Sequence, residues 1–253
     1  MIAERSNATL QAAFFENLHR ETKEPFSYSE RAIERLRHQW IVRQVAATAS
    51  GRVLDLGCSR GQLTAMLAQL PFELTAIDVA PSAIGAARTR LGDGSVRFAT
   101  GSALALPIAS GRMDFVVAAD GIYSWNLERD DRSRCLEEIY RILATSGRVL
   151  FTEHTRAFRF PEFVAEIEQH GFAVERIEYL YDRPWYQVES WFKMLQGTSW
   201  VRSARRSDAI ARFLQRVGRA FGPRASRHVC VLATKRTTPD LPGRGAQRSA
   251  PPA

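Results

Sequence analysis

The sequence predicts an α/β fold, and three patterns in its 253 residues support that prediction. Short apolar runs recur at residues 53–56, 72–79, 96–100 and 113–118, as expected of buried strands. Segments with apolar residues at helical spacing lie between them. The run at 113–118 is apolar almost throughout, which is typical of a strand covered on both faces of a sheet. Strands that alternate with helices indicate a sheet in which most strands are parallel.

The first strand, turn and helix occupy residues 51–67. Gly57, Ser59 and Gly61 form a turn of small residues between the apolar run and the helix. Small residues let a ligand lie against the backbone, and the free N–H groups and positive dipole at the start of a helix favour an anionic group. We therefore expect this turn to bind a ligand that carries a carboxylate or a phosphate.

One acidic residue precedes this turn, and another ends the second strand. The turn reads Asp55-x-Gly57-x-Ser59-x-Gly61, which differs from the Gly-x-Gly-x-x-Gly spacing of dinucleotide-binding proteins. Asp78 stands at the tip of the second strand, where a carboxylate can accept hydrogen bonds from two ribose hydroxyls. The arrangement resembles the first two motifs of the class I S-adenosylmethionine-dependent methyltransferases, which usually have glycine at the position of Ser59.

The resemblance covers residues 51–234 and implies a fold and a cofactor. The fold is a Rossmann-like, doubly wound sheet of seven strands with the last strand antiparallel, N-terminal helices, and a helical insertion before the last strand. The cofactor is S-adenosylmethionine. The residues that the resemblance implies as its binding site are Asp55, Gly57, Cys58, Ser59, Gly61, Asp78, Val79, Ser102, Ala103 and Asp120. The family often has an acid in contact with the adenine where this chain has Ser102, so we expect the N–H of Ala103 to contribute.

Candidate catalytic residues follow the fourth and fifth strands. In the family, residues just past the fourth strand approach the methyl donor and acceptor, and here they are Asp120 and Tyr123, with Trp125 as a wall. Packing of Tyr123 and Trp125 against the next helix is the alternative. The sequence predicts a turn at 145–147 and a fifth strand at 148–153. His154 at the tip of that strand is either a general base, since its ordinary pKa lies near the working pH, or a structural residue. A hydroxyl acceptor needs Asp120 or His154 as a base, whereas an amine needs only desolvation and positioning.

The chain divides into three predicted parts. Residues 1–48 form an N-terminal helical cap with helices at 8–21 and 29–47, the second capped by Ser29. Residues 49–236 form the methyltransferase domain with the insertion at about 182–227, and residues 237–253, rich in Pro, Gly and Arg, form a disordered tail. The helices of the cap either fold over the ligands or simply pack.

The insertion concentrates the positive charge of the chain. The formal net charge is +8, and residues 197–236 hold ten Lys and Arg against one acid. A helix there carries Ile210, Phe213, Leu214, Val217 and Phe221 on its apolar face. Four interpretations remain open: a lid over the acceptor, a surface for peripheral contact with anionic membranes, a nucleic-acid patch, or a packed helix with solvated arginines.

These observations favour an enzyme that methylates oxygen or nitrogen of a small-molecule metabolite. An RNA methyltransferase that uses the basic insertion is an alternative, although the sequence lacks the Asn-Pro-Pro-Tyr and Pro-Cys signatures of base methylation, and nucleic acid is the less favoured partner. A binding module without activity is the other alternative.

The three cysteines are far apart, which predicts free buried thiols and no metal site. We expect a cytoplasmic protein, because no apolar run is long enough for a membrane helix or a secretory signal. The oligomeric state stays open.

Overall fold

The computed structural model describes residues 7–22, 24–92, 94–122, 128–194 and 199–237. Its seven strands are β1 (Arg52–Leu56), β2 (Glu73–Asp78), β3 (Val96–Thr100), β4 (Met113–Ala119), β5 (Leu143–His154), β6 (Phe172–Tyr179) and β7 (His228–Lys235). The described helices are α1 (Asn7–Glu21), α2 (Ala32–Thr48), α3 (Gln62–Leu67), α4 (Pro81–Leu91), α5 (Arg129–Ile142), α6 (Phe160–Gln169), α7 (Arg183–Met194), α8 (Ser199–Arg206) and α9 (Asp208–Ala220).

The strands form one sheet in the order β3-β2-β1-β4-β5-β7-β6. The pairs from β3 to β5 are parallel, and β7 runs antiparallel to both β5 and β6. This topology confirms the predicted Rossmann-like, doubly wound sheet with an antiparallel last strand. The carboxyl ends of β1, β2, β4 and β5 therefore meet at one edge, which is where open α/β sheets bind ligands.

The core lies on both faces of the sheet. Phe115 and Val117 of β4 pack on one face with Ile41 of α2 and Leu67 of α3. Val116 and Ala118 of β4 pack on the other face against α5 and α6. Because both faces are covered, nearly every residue of β4 is apolar, as the sequence predicts.

Two boundaries differ from their predictions. The predicted turn at 145–147 lies inside β5, which starts at Leu143 directly after α5; Leu143 pairs with Met113, and Ser146 adopts a left-handed φ of 61° where the register shifts. Ser29 does not cap α2. Its hydroxyl donates to Glu24, and the helix begins at Ala32 without a side-chain cap.

The N-terminal helices and the insertion lie over the ligand-binding edge. The N–H and hydroxyl of Ser82 at the start of α4 bond the Glu16 carboxylate of α1, at 3.0 and 2.9 Å. Arg60, in the turn after β1, donates to the carbonyl of His19 at 2.8 Å. α2 packs against α9, and α9 packs against α7. The division of the chain into a cap, a domain and a tail stays a prediction, and residues 238–253 of the predicted tail lie outside the described residues.

Within the described ranges, no helix has the length and apolar character that crossing a membrane requires.

Candidate active site

The turn after β1 is fastened to the end of β2. The N–H groups of Gly57 and Cys58 donate to the carbonyl of Ile77 at 2.8 and 3.1 Å. The N–H of Ser59 donates to Oδ2 of Asp78 at 2.8 Å. Ser59 has a left-handed φ of 50°, a conformation that favours glycine and explains why the resembling family has glycine there. Gly57, also left-handed at 77°, has no atom within 4 Å of where a Cβ would stand, so its bare backbone borders open space.

Asp78 and its neighbour Val79 line a cavity over this turn. Each oxygen of the Asp78 carboxylate accepts one backbone N–H, from Ser59 and, at 2.9 Å, from Ala80. Burial raises the pKa of Asp78, although the hydrogen bonds from these N–H groups and the nearby His19 act to lower it. His19 of α1 is buried, and its Nδ1 has no hydrogen-bond partner among the described residues. α1 thus brings His19 to the cavity, and this residue was not predicted from the sequence.

Three of the predicted cofactor-binding residues do not line this cavity. The buried carboxylate of Asp55 accepts the hydroxyl of Thr64 at 2.7 Å, and burial raises its pKa to about 6. Cys58 packs in a small apolar cluster beneath the turn. A Cβ on Gly61 would lie 3.0 Å from the Cβ of Ala87, so Gly61 permits close packing of the turn on α4. These residues shape the turn from behind.

Ser102 and Ala103, after β3, line the same cavity. The Ser102 hydroxyl accepts the N–H of Leu104 at 3.2 Å, which stabilises the local turn. We call the region of Gly57, Ser59, Asp78 and Val79 the β1–β2 end of the cavity. The adjoining Ser102 and Ala103 extend that end along the sheet edge.

Asp120 follows β4 with a left-handed φ of 56°, and its N–H donates to the carbonyl of Thr152 at 2.7 Å. Its Oδ2 lies 2.8 Å from Nη1 of Arg37 and 3.4 Å from Nε2 of His228. Although burial opposes the charge, these two cations hold the pKa of Asp120 well below its usual range. A carboxylate held so firmly in its ionised form is a weak proton acceptor, so this geometry disfavours Asp120 as the base.

His154 ends β5 and lines the cavity next to Asp120. Its ring centroid lies 4.8 Å from that of His228 and 5.2 Å from that of Tyr186. Burial and the adjacent positive charge of His228 lower its pKa to about 4, so the imidazole is neutral at neutral pH. Its buried Nε2 has no hydrogen-bond partner in the described part of the chain. We call the region of Asp120, His154, Tyr186 and His228 the β4–β5 end.

A network of buried charges surrounds the β4–β5 end. His228 lies between Asp182, which bonds its Nδ1, and Asp120. Burial alone would lower the pKa of His228, but the two carboxylates raise it to about 10. Arg37 donates to Glu34 at 2.9 Å, and the Tyr186 hydroxyl donates to Glu34 at 2.9 Å. All are brought together from α2, the strand ends and the insertion.

Apart from Asp120, the residues of this network were not predicted from the sequence. Arg37 and Glu34 interrupt the apolar positions of α2, and charged residues on a buried helix face are the signal that could have identified them. Asp182 and His228 flank the insertion and carry no comparable local pattern. Tyr123 and Trp125 lie outside the described residues, so their predicted roles stay predictions.

The cavity has a volume of about 710 Å³ and joins the β1–β2 end to the β4–β5 end. Phe15, Phe26 and Tyr28 of the N-terminal segment form an aromatic wall, and Tyr186 and Ser190 of α7 also line the cavity. At its rim, Arg31 and Arg205 both bond the buried carboxylate of Glu189. Among the described residues, no cluster of three or more His, Cys, Asp or Glu side chains could hold a metal ion.

Part of the chain is similar in sequence to known methyltransferases. A family model described as a methyltransferase domain matches residues 53–147. The demethylmenaquinone methyltransferase of Thermus thermophilus is 35% identical over 109 residues, which are 42% of this chain and 48% of that protein. The chain spans about half the length of the curated relatives it matches.

Solved structures share the fold over a longer stretch. The N-methyltransferase NodS from Bradyrhizobium japonicum, in complex with S-adenosylhomocysteine, has a TM-score of 0.63 at 19% identity, over 90% of this chain and 99% of that one. The [4+2]-cyclase SpnF has a TM-score of 0.57 at 21% identity, over 79% of this chain and 80% of that one. At such identities these structures show a common fold.

Proposed function

We propose that this chain, which contains a class I S-adenosylmethionine-dependent methyltransferase domain, transfers a methyl group from that cofactor to a small molecule. The family match confirms the family that the β1 turn and Asp78 predict. The observation that carries the proposal is the continuous cavity between the β1–β2 end and the β4–β5 end. A direct transfer needs both reactants side by side, and this cavity reaches from one end to the other.

The residues at the β1–β2 end fit the cofactor. Open space beside Gly57 leaves room for a ligand against the backbone. Each oxygen of Asp78 accepts one backbone N–H and retains a lone pair for a ribose hydroxyl. Val79, Ser102 and Ala103 would contact the nucleoside beside it. When bound, S-adenosylmethionine supplies a methyl group on a positively charged sulfur, ready for in-line displacement.

The β4–β5 end would hold the acceptor. We assign His154 to the acceptor proton, because its imidazole is neutral and, with a pKa of about 4, is a stronger base than Asp120, whose pKa lies well below its usual range. Asp120 keeps its charge and orients Arg37 and His228. Removal of water by the surrounding helices would be sufficient for an amine acceptor, which needs positioning more than a base.

Two observations support a small, partly apolar acceptor. Aromatic side chains of the N-terminal segment and of α7 enclose the cavity, and its rim arginines are engaged by Glu189 rather than directed at an external polyanion. The name of the Thermus relative, a demethylmenaquinone methyltransferase, is in keeping with such an acceptor.

The test is formation of S-adenosylhomocysteine by the purified chain. We would offer S-adenosylmethionine with a panel of phenolic, amine and quinol acceptors and, separately, with tRNA. We expect turnover with a small molecule, loss of it in Asp78→Ala, and retention in Asp130→Ala, a control at an exposed acid of α5. Turnover of tRNA alone would contradict the proposal, as would tight cofactor binding with no turnover across a broad panel.

A further inference from the structure

The helix α9 turns most of its large apolar residues away from the protein. Its packed side is formed by Ala211, which is fully buried, and Gly218, which contacts the carbonyl of Tyr181 so closely that no side chain would fit. Leu214 lies beside Ala211 in the small core with α2 and α7. The sequence predicts that the large apolar residues of this helix share one face. In the structure, only the Leu214 side of that face is covered by the protein.

The remaining apolar residues form an exposed stripe, which we define as Ile210, Phe213, Val217 and Phe221. Their spacing of three, four and four residues places them along one side of the helix. Phe213 is 63% exposed and Phe221 is 71% exposed, and the other two residues are also exposed. Large apolar side chains exposed in a row are unusual on the surface of a globular protein and indicate an interaction site.

Arginines flank the stripe. Arg212, Arg216 and Arg219 follow the adjacent side of α9, and all three are exposed. Asp208 is the acid of this helix, and it pairs with Arg35 of α2 at 2.6 Å. The surface beside the stripe is therefore strongly positive, and a partner that covers it must offer an apolar interior together with negative charge.

We infer that the exposed stripe of α9 and its flanking arginines form a docking surface for an anionic lipid bilayer. A helix that lies in the membrane interface buries its apolar side among the acyl chains, while arginines beside it contact anionic headgroups. Nucleic acid could use the arginines and stack on Phe213 and Phe221, but the aliphatic Ile210 and Val217 between them offer it neither charge nor a stacking surface, whereas a bilayer buries all four. The three-residue helical turn that carries exposed Phe158 lies against the turn after Phe221, so a further exposed phenylalanine belongs to a segment next to that end of the stripe. This surface is separate from the cavity residues, so the inference stands independently of the proposed reaction.

The test is sedimentation of the full chain with sucrose-loaded vesicles. We expect binding to vesicles of phosphatidylcholine with phosphatidylglycerol, and little binding to phosphatidylcholine alone. The double substitution Phe213→Ser with Phe221→Ser should weaken partitioning at least about tenfold, since two aromatic side chains lose their burial. Arg212→Gln with Arg216→Gln should weaken it at least about fivefold. Added salt should weaken the binding of the wild type as well.

Matched controls lie elsewhere on the surface. Phe14→Ser removes a half-exposed phenylalanine of α1, and Arg97→Gln removes an exposed arginine of the edge strand β3; neither should change partitioning. Retained affinity for S-adenosylhomocysteine would show that the α9 variants are folded. Equal binding of the Phe double variant and the wild type would overturn the inference, as would equal binding to both vesicle types. Binding to tRNA but not to vesicles, or a dimer that the Phe substitutions abolish without any vesicle binding, would overturn it also.

Discussion

The residues that form one end of the cavity lie close together in the sequence, whereas those that form the other end lie far apart. At the β1–β2 end, Gly57, Ser59 and Asp78 come from two successive strand ends, and backbone N–H groups make most of the hydrogen bonds. At the β4–β5 end, Arg37 and His228 come from opposite ends of the described chain and are joined through the Asp120 carboxylate. The first end depends on local backbone conformation, whereas the second depends on buried charges that only the complete fold brings together.

The largest expected effect separates the two ends by function. His154→Asn should lower kcat about 10²- to 10⁴-fold with a hydroxyl acceptor, because it removes the group that accepts the proton. Affinity for S-adenosylmethionine should be unchanged, since the cofactor residues lie at the other end. Steady-state kinetics with the acceptor found in the panel, together with calorimetric titration of the cofactor, measures both. His170→Asn, outside the cavity, is the control, and an undiminished kcat in His154→Asn would remove the assigned role.

The next effect concerns stability. Arg37→Met should lower the free energy of unfolding by about 3–5 kcal/mol, because it leaves the buried carboxylates of Glu34 and Asp120 without their main cation. Arg97→Met, which breaks an exposed pair with Glu73, should cost less than about 1 kcal/mol. Urea unfolding of both variants gives the comparison. Similar small losses would show that the network at the β4–β5 end is not a coupled unit.

A further effect on stability is the pH dependence that His228 imposes. Its folded-state pKa of about 10 exceeds the ordinary value of 6.5, so the folded protein keeps a proton that the unfolded chain releases between these values. The stabilisation is complete below pH 6.5 and is lost as the pH rises through about 10, at about 1.4 kcal/mol per pH unit. Wild type and His228→Gln should therefore differ in the slope of unfolding free energy against pH over this window. Parallel slopes would contradict the assignment of a charged His228.

The smallest effect distinguishes two glycines within the turn after β1. Both have φ of 77°, so alanine is strained at either position. Gly61→Ala also forces a Cβ against Ala87 and should lower the free energy of unfolding by about 1–3 kcal/mol. Gly57→Ala projects into the open cavity and should weaken cofactor binding more than Gly61→Ala does. The reverse ranking of the two variants in cofactor affinity would show that the open space beside Gly57 is not the binding surface.

The same contrast explains what the sequence could predict. The β1 turn and Asp78 are recognisable because their geometry is encoded by neighbouring residues. The succession of strands and helices along the chain follows from alternating apolar runs, whereas the order of the strands in the sheet was implied by the family resemblance. The start of β5 was predicted five residues late, at Arg148, because Ser146 kinks the strand without ending it. The apolar residues of α9 were grouped correctly by period, but period alone does not tell which of them the fold covers. Arg37, Asp182 and His228 were missed because their meaning depends on partners far away in the chain.

The central claim is that the cofactor and the acceptor occupy opposite ends of one cavity. Calorimetric titration with S-adenosylhomocysteine, on the wild type, Asp78→Ala and His154→Asn in parallel, tests it most directly. The account predicts that Asp78→Ala weakens binding more than about tenfold, as expected from the loss of hydrogen bonds to a charged group, while His154→Asn binds as the wild type does. Equal losses in both variants, or no binding to the wild type, would contradict it.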